Sequence, residues 1–114
     1  MAAAIGLEET LWRLGSVDGV VVPDVVEATA LFTAGRVAGR GGCNRYTGLY
    51  AVDGAALTLG PIASTRMACP GAAGTVEGAF FAALERVAGY AVDGAVLVLR
   101  DADGRPLLEL SARD

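Results

Sequence analysis

Ten residues recur almost unchanged in this chain: Tyr50-Ala-Val-Asp-Gly-Ala-Ala-Leu-Thr-Leu59 and Tyr90-Ala-Val-Asp-Gly-Ala-Val-Leu-Val-Leu99 share eight identities. Each copy is an apolar run, an Asp-Gly turn signal and a second apolar run, the pattern of a two-stranded hairpin with a primed turn. Two copies are too few for a solenoid, so the recurrence reads as a duplicated or convergent hairpin rather than a repeat array. A chain holding two such hairpins is committed to antiparallel strands over much of its length.

The remaining punctuation agrees. Glu8 to Gly15 reads as a first strand, with Leu11, Trp12 and Leu14 as core candidates. Asp18-Gly19 is a turn, followed by the β-branched Val20 to Val22 and by Pro23-Asp24, which stops or edges that strand. Thr29 to Phe32 and Arg36 to Gly39 are two short strands joined by a turn at Thr33-Ala-Gly35. Asp103-Gly104 turns the chain into a closing strand over Leu107 to Ser111, where Leu108 and Leu110 alternate with Glu109. One helix interrupts this pattern, over about Thr75 to Ala88. Val76, Ala79, Phe80, Ala83, Leu84 and Val87 recur at helical spacing, Glu77 sits in the first turn, Arg86 in the last, and Gly89 ends it. The expected fold is therefore mainly β (α+β), a curled antiparallel sheet of about seven to nine short strands packed on one amphipathic helix.

At 114 residues the chain fits a single domain, 1–114, with room for one core. No apolar run approaches the roughly 20 residues of a membrane helix, so no integral membrane segment is expected. The chain carries a net charge of −4, and its nine basic residues, all arginines, are scattered from Arg13 to Arg113. Nucleic acid is not an expected partner for such a distribution. There is no lysine and no histidine. That absence excludes Schiff-base chemistry, the P-loop lysine, histidine acid–base work and histidine metal ligation. Met1 to Gly6 shows neither a charged n-region nor an apolar stretch of signal-peptide length, so the sequence as written reads as cytoplasmic, or as a protein whose targeting segment was removed.

Two segments concentrate unusual residues: Gly39 to Tyr50, and Ser64 to Pro70. They hold both cysteines, Cys43 and Cys69, which fit one disulfide or two free thiols. Closing the loop between them stabilises a domain by about 3.5 kcal/mol in the chain-entropy account. A nucleophilic cysteine has only Arg40, Arg45 or Arg66 to lower its pKa, and two thiols fall short of a zinc site. Neither catalytic, cofactor nor metal-binding residues are expected. Gly39, Gly41 and Gly42 resemble a phosphate nest, but the rest of a P-loop is missing, and positive φ at a bulge or tight turn is the plainer reading. Asn44 suits the same left-handed role. Asp101 to Gly104 is a turn rather than a calcium loop, and Glu8, Glu77 and Glu85 lack a paired spacing. Tyr46, Tyr50, Phe80 and Phe81 are core candidates that could instead line a pocket.

The combination Gly39-x-x-Gly42-Cys43-Asn44-x-Tyr46-x-Gly48-x-Tyr50, then Ser64-Thr65-Arg66-Met67-Ala68-Cys69-Pro70 and Glu77 in a helix, resembles the META domain family, which includes the HslJ-like heat-shock proteins. Leu11-Trp12-Arg13-Leu14 resembles the family's opening strand, so the likeness covers nearly the whole chain. It implies a cracked, lipocalin-like antiparallel barrel packed on a helix, in a family of bacterial proteins of uncharacterised molecular function tied to stress response and the cell envelope. The chain differs from many members in lacking a signal peptide and a lipid-acceptor cysteine. The motif residues to follow are Gly42, Cys43, Asn44, Tyr46, Tyr50, Thr65, Arg66, Met67, Cys69 and Pro70. Cys43 and Cys69 are expected within bonding reach of each other, with Arg66 and Tyr46 nearby. The expected function is non-enzymatic: a monomer that binds a protein partner or, alternatively, carries a small hydrophobic or lipid ligand in an apolar cavity between sheet and helix. The two differ in whether the spare apolar surface lies inside or outside.

Overall fold

The computed structural model describes residues 6–113. The segment Met1 to Ile5, read above for targeting signals, and Asp114 lie outside the described residues. The chain forms β1 (Leu11–Val17), β2 (Val20–Val21), β3 (Thr29–Thr33), β4 (Arg36–Arg40), β5 (Arg45–Asp53), β6 (Ala56–Leu59), β7 (Ala63–Ser64), α1 (Gly71–Leu84), β8 (Gly89–Asp93), β9 (Val96–Arg100) and β10 (Pro106–Ala112). The hydrogen-bonded order is β10-β9-β8-β6-β5-β4-β3-β1, and pairing of β10 with β1 closes the circuit into an eight-stranded antiparallel barrel. Closure removes the free sheet edges that an open sheet of these strands would present. The two extra strands are short: β2 pairs with β1, and β7 with β5.

The duplicated hairpins become neighbours. They are β5–β6 and β8–β9, and β6 joins β8 through the single pair Ala56–Gly89, flanked by Leu57 N–H to Ala88 O (3.1 Å) and Tyr90 N–H to Ala55 O (3.0 Å). This thin seam is the crack in the barrel. In both copies the two-residue loop follows the aspartate, with Gly54 and Gly94 at φ 60, which is the type II′ arrangement. The turns at Asp18-Gly19 and Ala34-Gly35 have positive φ at both positions and are type I′. All four match the right-handed twist of their strands.

Side chains fill the interior. Trp12, Phe32, Val37, Leu57, Leu97, Leu99, Leu108 and Leu110 are buried there, with Phe80 and Leu84 from the helix. Two irregularities set which residues face inward. In β1 a register shift between Leu14 and Ser16 adds one residue opposite Leu110 and Glu109, so Val17 rather than Ser16 points into the core. In β10 a shift between Pro106 and Leu108 buries both Leu107 and Leu108. Leu11, expected in the core, is 42% exposed, because it alternates with Trp12 and so faces outward.

The helix occupies Gly71–Leu84 rather than Thr75 to Ala88. Its start, Pro70-Gly71-Ala-Ala-Gly74, has no capping side chain and poor propensity. Close tertiary packing overrides that: a Cβ on Gly74 would collide with the Cys69 carbonyl, and one on Gly42 would lie 2.9 Å from the Ala73 carbonyl. Glu77 consequently sits beyond the first turn and is buried, and Ala79 faces solvent. Beyond Leu84 the chain continues as a turn, with Arg86 N–H donating to Ala83 O (2.9 Å), which still brings Val87 into the core. Among the described residues no helix is long and apolar enough to cross a membrane.

Candidate functional site

The two motif segments meet at one end of the barrel, where the β4–β5 connection, the segment after β7 and the helix converge. Asn44 is the centre, and it is buried. Its Oδ1 accepts from Met67 N–H (2.8 Å) and from the Thr65 hydroxyl (2.9 Å). Its Nδ2 donates to Met67 O (3.1 Å) and to Glu77 Oε2 (2.7 Å). Its backbone N–H donates to Glu77 Oε1 (2.6 Å), which also accepts from Cys43 N–H (3.1 Å). One asparagine thus ties three chain segments together, and among the described residues no buried side-chain nitrogen or oxygen lacks a partner. Beside it a disulfide joins Cys43 to Cys69, with a Cα–Cα distance of 6.2 Å.

The glycines serve this convergence in different ways. Gly42 alone of the three in its run has positive φ, 121°. Gly39 and Gly41 are in ordinary conformations and are needed for room instead: a Cβ at Gly39 would strike the Thr29 carbonyl, and one at Gly41 would lie 2.5 Å from the Phe81 ring. Asn44 is not in the left-handed region either, so its role is the network and not backbone tolerance.

The structure brings Gly42, Cys43, Asn44, Thr65, Met67, Cys69 and Pro70 to this junction, with Pro70 at the N-cap of α1. Tyr46 lies on the inner side. Its ring meets Phe80 and Phe81 edge-on at 5.6 and 5.4 Å, and its hydroxyl donates to Thr29 O at 2.7 Å. Arg66 is exposed, and the Met67 side chain is 61% exposed although its backbone is held by Asn44. Tyr50 is elsewhere, stacked edge-on to Phe32 at 5.1 Å with its hydroxyl bonded to Glu8. Glu77 is the residue that sequence reasoning undervalued. The available signal was a carboxylate set among Val76, Phe80 and Leu84, on the face a core-packed helix buries.

The chemistry of the junction follows from where its polar atoms go. Burial acts to raise the Glu77 pKa, but the three hydrogen bonds from Asn44 and Cys43 outweigh it and hold the carboxyl below its ordinary value of 4.5. Both carboxylate oxygens are engaged, and both sulfurs are in the disulfide. Tyr46 has its pKa raised above 10.0 by burial. Among the described residues no group of three or more histidine, cysteine, aspartate or glutamate side chains converges as a metal would require.

These shifts make stability depend on pH at both ends. For Glu77 the unfolded chain takes up its proton first as pH falls, so the stabilisation is complete above about pH 4.5 and is lost as pH drops through the lower folded value. For Tyr46 the unfolded chain loses its proton first, so stability declines as pH rises above 10.0. Urea unfolding of the wild type and of Glu77→Gln between pH 6 and 3 isolates the acid arm. The gap between their midpoints should close as the pH falls, and a constant gap would contradict this assignment.

The profile of the META domain family matches residues 6–114. The chain belongs to the META domain family. The fold of this META domain is shared with a protein from Burkholderia xenovorans solved by NMR, at 27% identity and a TM-score of 0.74, covering 99% of this chain and 94% of that one. A second NMR structure matches at 24% identity with a TM-score of 0.72, covering 97% of this chain and 95% of that one, and speaks to the fold alone. Among curated proteins no relative matches.

Proposed function

We propose that this META domain is a non-enzymatic interaction module that works in stress response or envelope maintenance by binding a protein partner. The observation that carries the reading is how the polar motif atoms are spent. Asn44, Glu77, Thr65 and the two cysteines satisfy one another at the junction, and the barrel interior is packed with side chains, so what the fold offers to other molecules is its outer surface. A structural disulfide persists in oxidising compartments, which supports a place in the envelope or outside the cell.

One observation favours the carrier reading. An apolar groove of about 270 Å³ lies between β2 and α1, walled by Val17, Val20, Val21, Val76 and Ala79. It lies between sheet and helix but on the outside of the barrel. Native mass spectrometry of protein purified without refolding separates the two. The interaction module predicts a clean monomer mass with the 2.0 Da deficit of one disulfide, a figure that is about two hydrogens. A co-purifying apolar adduct would overturn it in favour of the carrier.

A further inference from the structure

The nine arginines are dispersed in sequence, but the barrel folds three of them into one row. Strand pairing sets Arg13 opposite Thr29 and Arg40 opposite Arg45. Thr29 Oγ1 accepts from Arg40 N–H (3.2 Å) between these pairs, and Thr65 Oγ1 accepts from Arg45 N–H (3.2 Å) beyond them. The outer face of β1, β3, β4 and β5 therefore carries Arg13, Arg40 and Arg45 side by side, spaced by threonine. Directly alongside runs a second row in which Leu11 faces Leu31, Leu31 faces Ala38, Ala38 faces Thr47 and Thr47 faces Ala63. Two open grooves of about 380 and 340 Å³ share Arg45 and Tyr46 and form one continuous depression along Arg40, Arg45 and the second row; Arg13 lies beyond its end, with its guanidinium donating to Asp24 O (2.9 Å).

The charge arrangement has an uncompensated cost. Like charges directly opposite on neighbouring strands destabilise a sheet, and Arg40 faces Arg45. The chain has 13 acidic residues and a net charge of −4. Yet among the described residues the ion pairs are made by Arg86 and Arg113, and none involves this row.

We propose that this depression binds an extended acidic segment of a partner protein, with carboxylates on Arg40 and Arg45 and apolar side chains on the Leu11–Leu31–Ala38 row. The proposal rests on the interaction reading and names the chemistry of the partner. With neighbouring strands about 4.8 Å apart, β1 to β7 spans about 19 Å, the reach of roughly six residues of extended chain. The depression is open to solvent along its length. An acyl chain laid there would keep its outer side in water, whereas a protein segment brings its own cover. Single-stranded nucleic acid would lack the exposed aromatic platform it stacks on, since the Tyr46 ring is buried.

The test uses the intact domain and a fluorescein-labelled ten-residue peptide alternating glutamate and leucine, followed by fluorescence anisotropy against a lysine–leucine counterpart. The acidic peptide should bind at least about tenfold more tightly than the basic one and weaken severalfold in about 0.5 M salt. Arg45→Glu should weaken it at least about fivefold, while Arg105→Glu, the same charge change in the distant β9–β10 turn, should leave it within about twofold. Arg45→Glu also converts the repulsion with Arg40 into attraction, so its melting temperature should be no lower than wild type, which separates lost binding from lost fold. Failure of the acidic peptide to bind, equal binding of the basic peptide, or equal weakening by the two variants would overturn the proposal. An apolar adduct in the native mass spectrum would instead overturn the interaction reading, whereas a clean mass with no peptide binding would sink only the assignment of this groove.

Discussion

Replacing Glu77 by alanine should lower the stability of the domain by about 3–5 kcal/mol, among the largest losses available to a single polar residue in this chain. The reason lies in what is left behind. Glu77 accepts the backbone N–H groups of Cys43 and Asn44 and one N–H of the Asn44 side chain; Glu77 and Asn44 are buried and Cys43 is half-buried. Its removal takes the acceptor from two buried donors of Asn44 and from the half-buried Cys43 N–H, and leaves a void beside the helix. In a domain of this size about 1 kcal/mol corresponds to about 4 °C, so the melting temperature should fall by roughly 12–20 °C. Glu77→Gln keeps the shape and one acceptor oxygen but turns an N–H group toward an Asn44 donor, and should cost about 2–3 kcal/mol. Thermal melts followed by circular dichroism check both. A loss below about 1 kcal/mol for Glu77→Ala would show that the carboxylate is not what holds the junction.

Breaking the disulfide by Cys43→Ser with Cys69→Ser should cost about 3.5 kcal/mol, or roughly 15 °C. The loop it closes spans 26 residues and contains β5, β6 and β7. Without the bond the unfolded chain regains the freedom of that whole segment, while the folded state keeps Asn44 and Glu77 to hold the same ends together. The barrel should therefore remain folded at room temperature, with unchanged far-ultraviolet dichroism and a lower urea midpoint. Because disulfide and network act on one junction, the combined variant with Glu77→Ala should depart from additivity by more than about 0.5 kcal/mol. Strict additivity would mean that the two brace the fold independently.

Much of the barrel was legible because its information is local. The repeated Tyr-Ala-Val-Asp-Gly-Ala pattern carries period-two alternation and a turn residue in every copy, and those alone fix a hairpin. The packing of a curled sheet on one helix was legible in the periodicity, and the cracked, lipocalin-like barrel came from the resemblance. What was hidden is what depends on distant partners. The helix begins at Gly71 because Gly74 and Gly42 let the backbone of Cys69 and Ala73 come close, a reason no propensity scale contains. The bulge after Leu14 puts Val17 inward, and a simple alternation cannot reveal it. At the junction the residue types were visible but not their tasks. Asn44 was expected to ease a turn and instead bonds to residues 21 to 33 positions away. Glu77 was read as a first-turn charge, since its partners are supplied by a loop more than thirty residues upstream. The arginine row was hidden for the same reason, because Arg13, Arg40 and Arg45 come onto one line across the sheet only through strand order and register.

The central claim is that the two motifs form a structural lock between the β4–β5 loop, the segment after β7 and the helix rather than a reactive site. Native-state amide hydrogen exchange tests it most directly, read at Cys43, Asn44 and Met67, whose N–H groups donate into the network although none lies in a long strand. These amides should exchange as slowly as those of β5 and β10, and Glu77→Ala should speed Cys43 and Asn44 selectively by at least about a hundredfold. Exchange in the wild type as fast as at the turn tips Gly54 and Gly104 would contradict the lock.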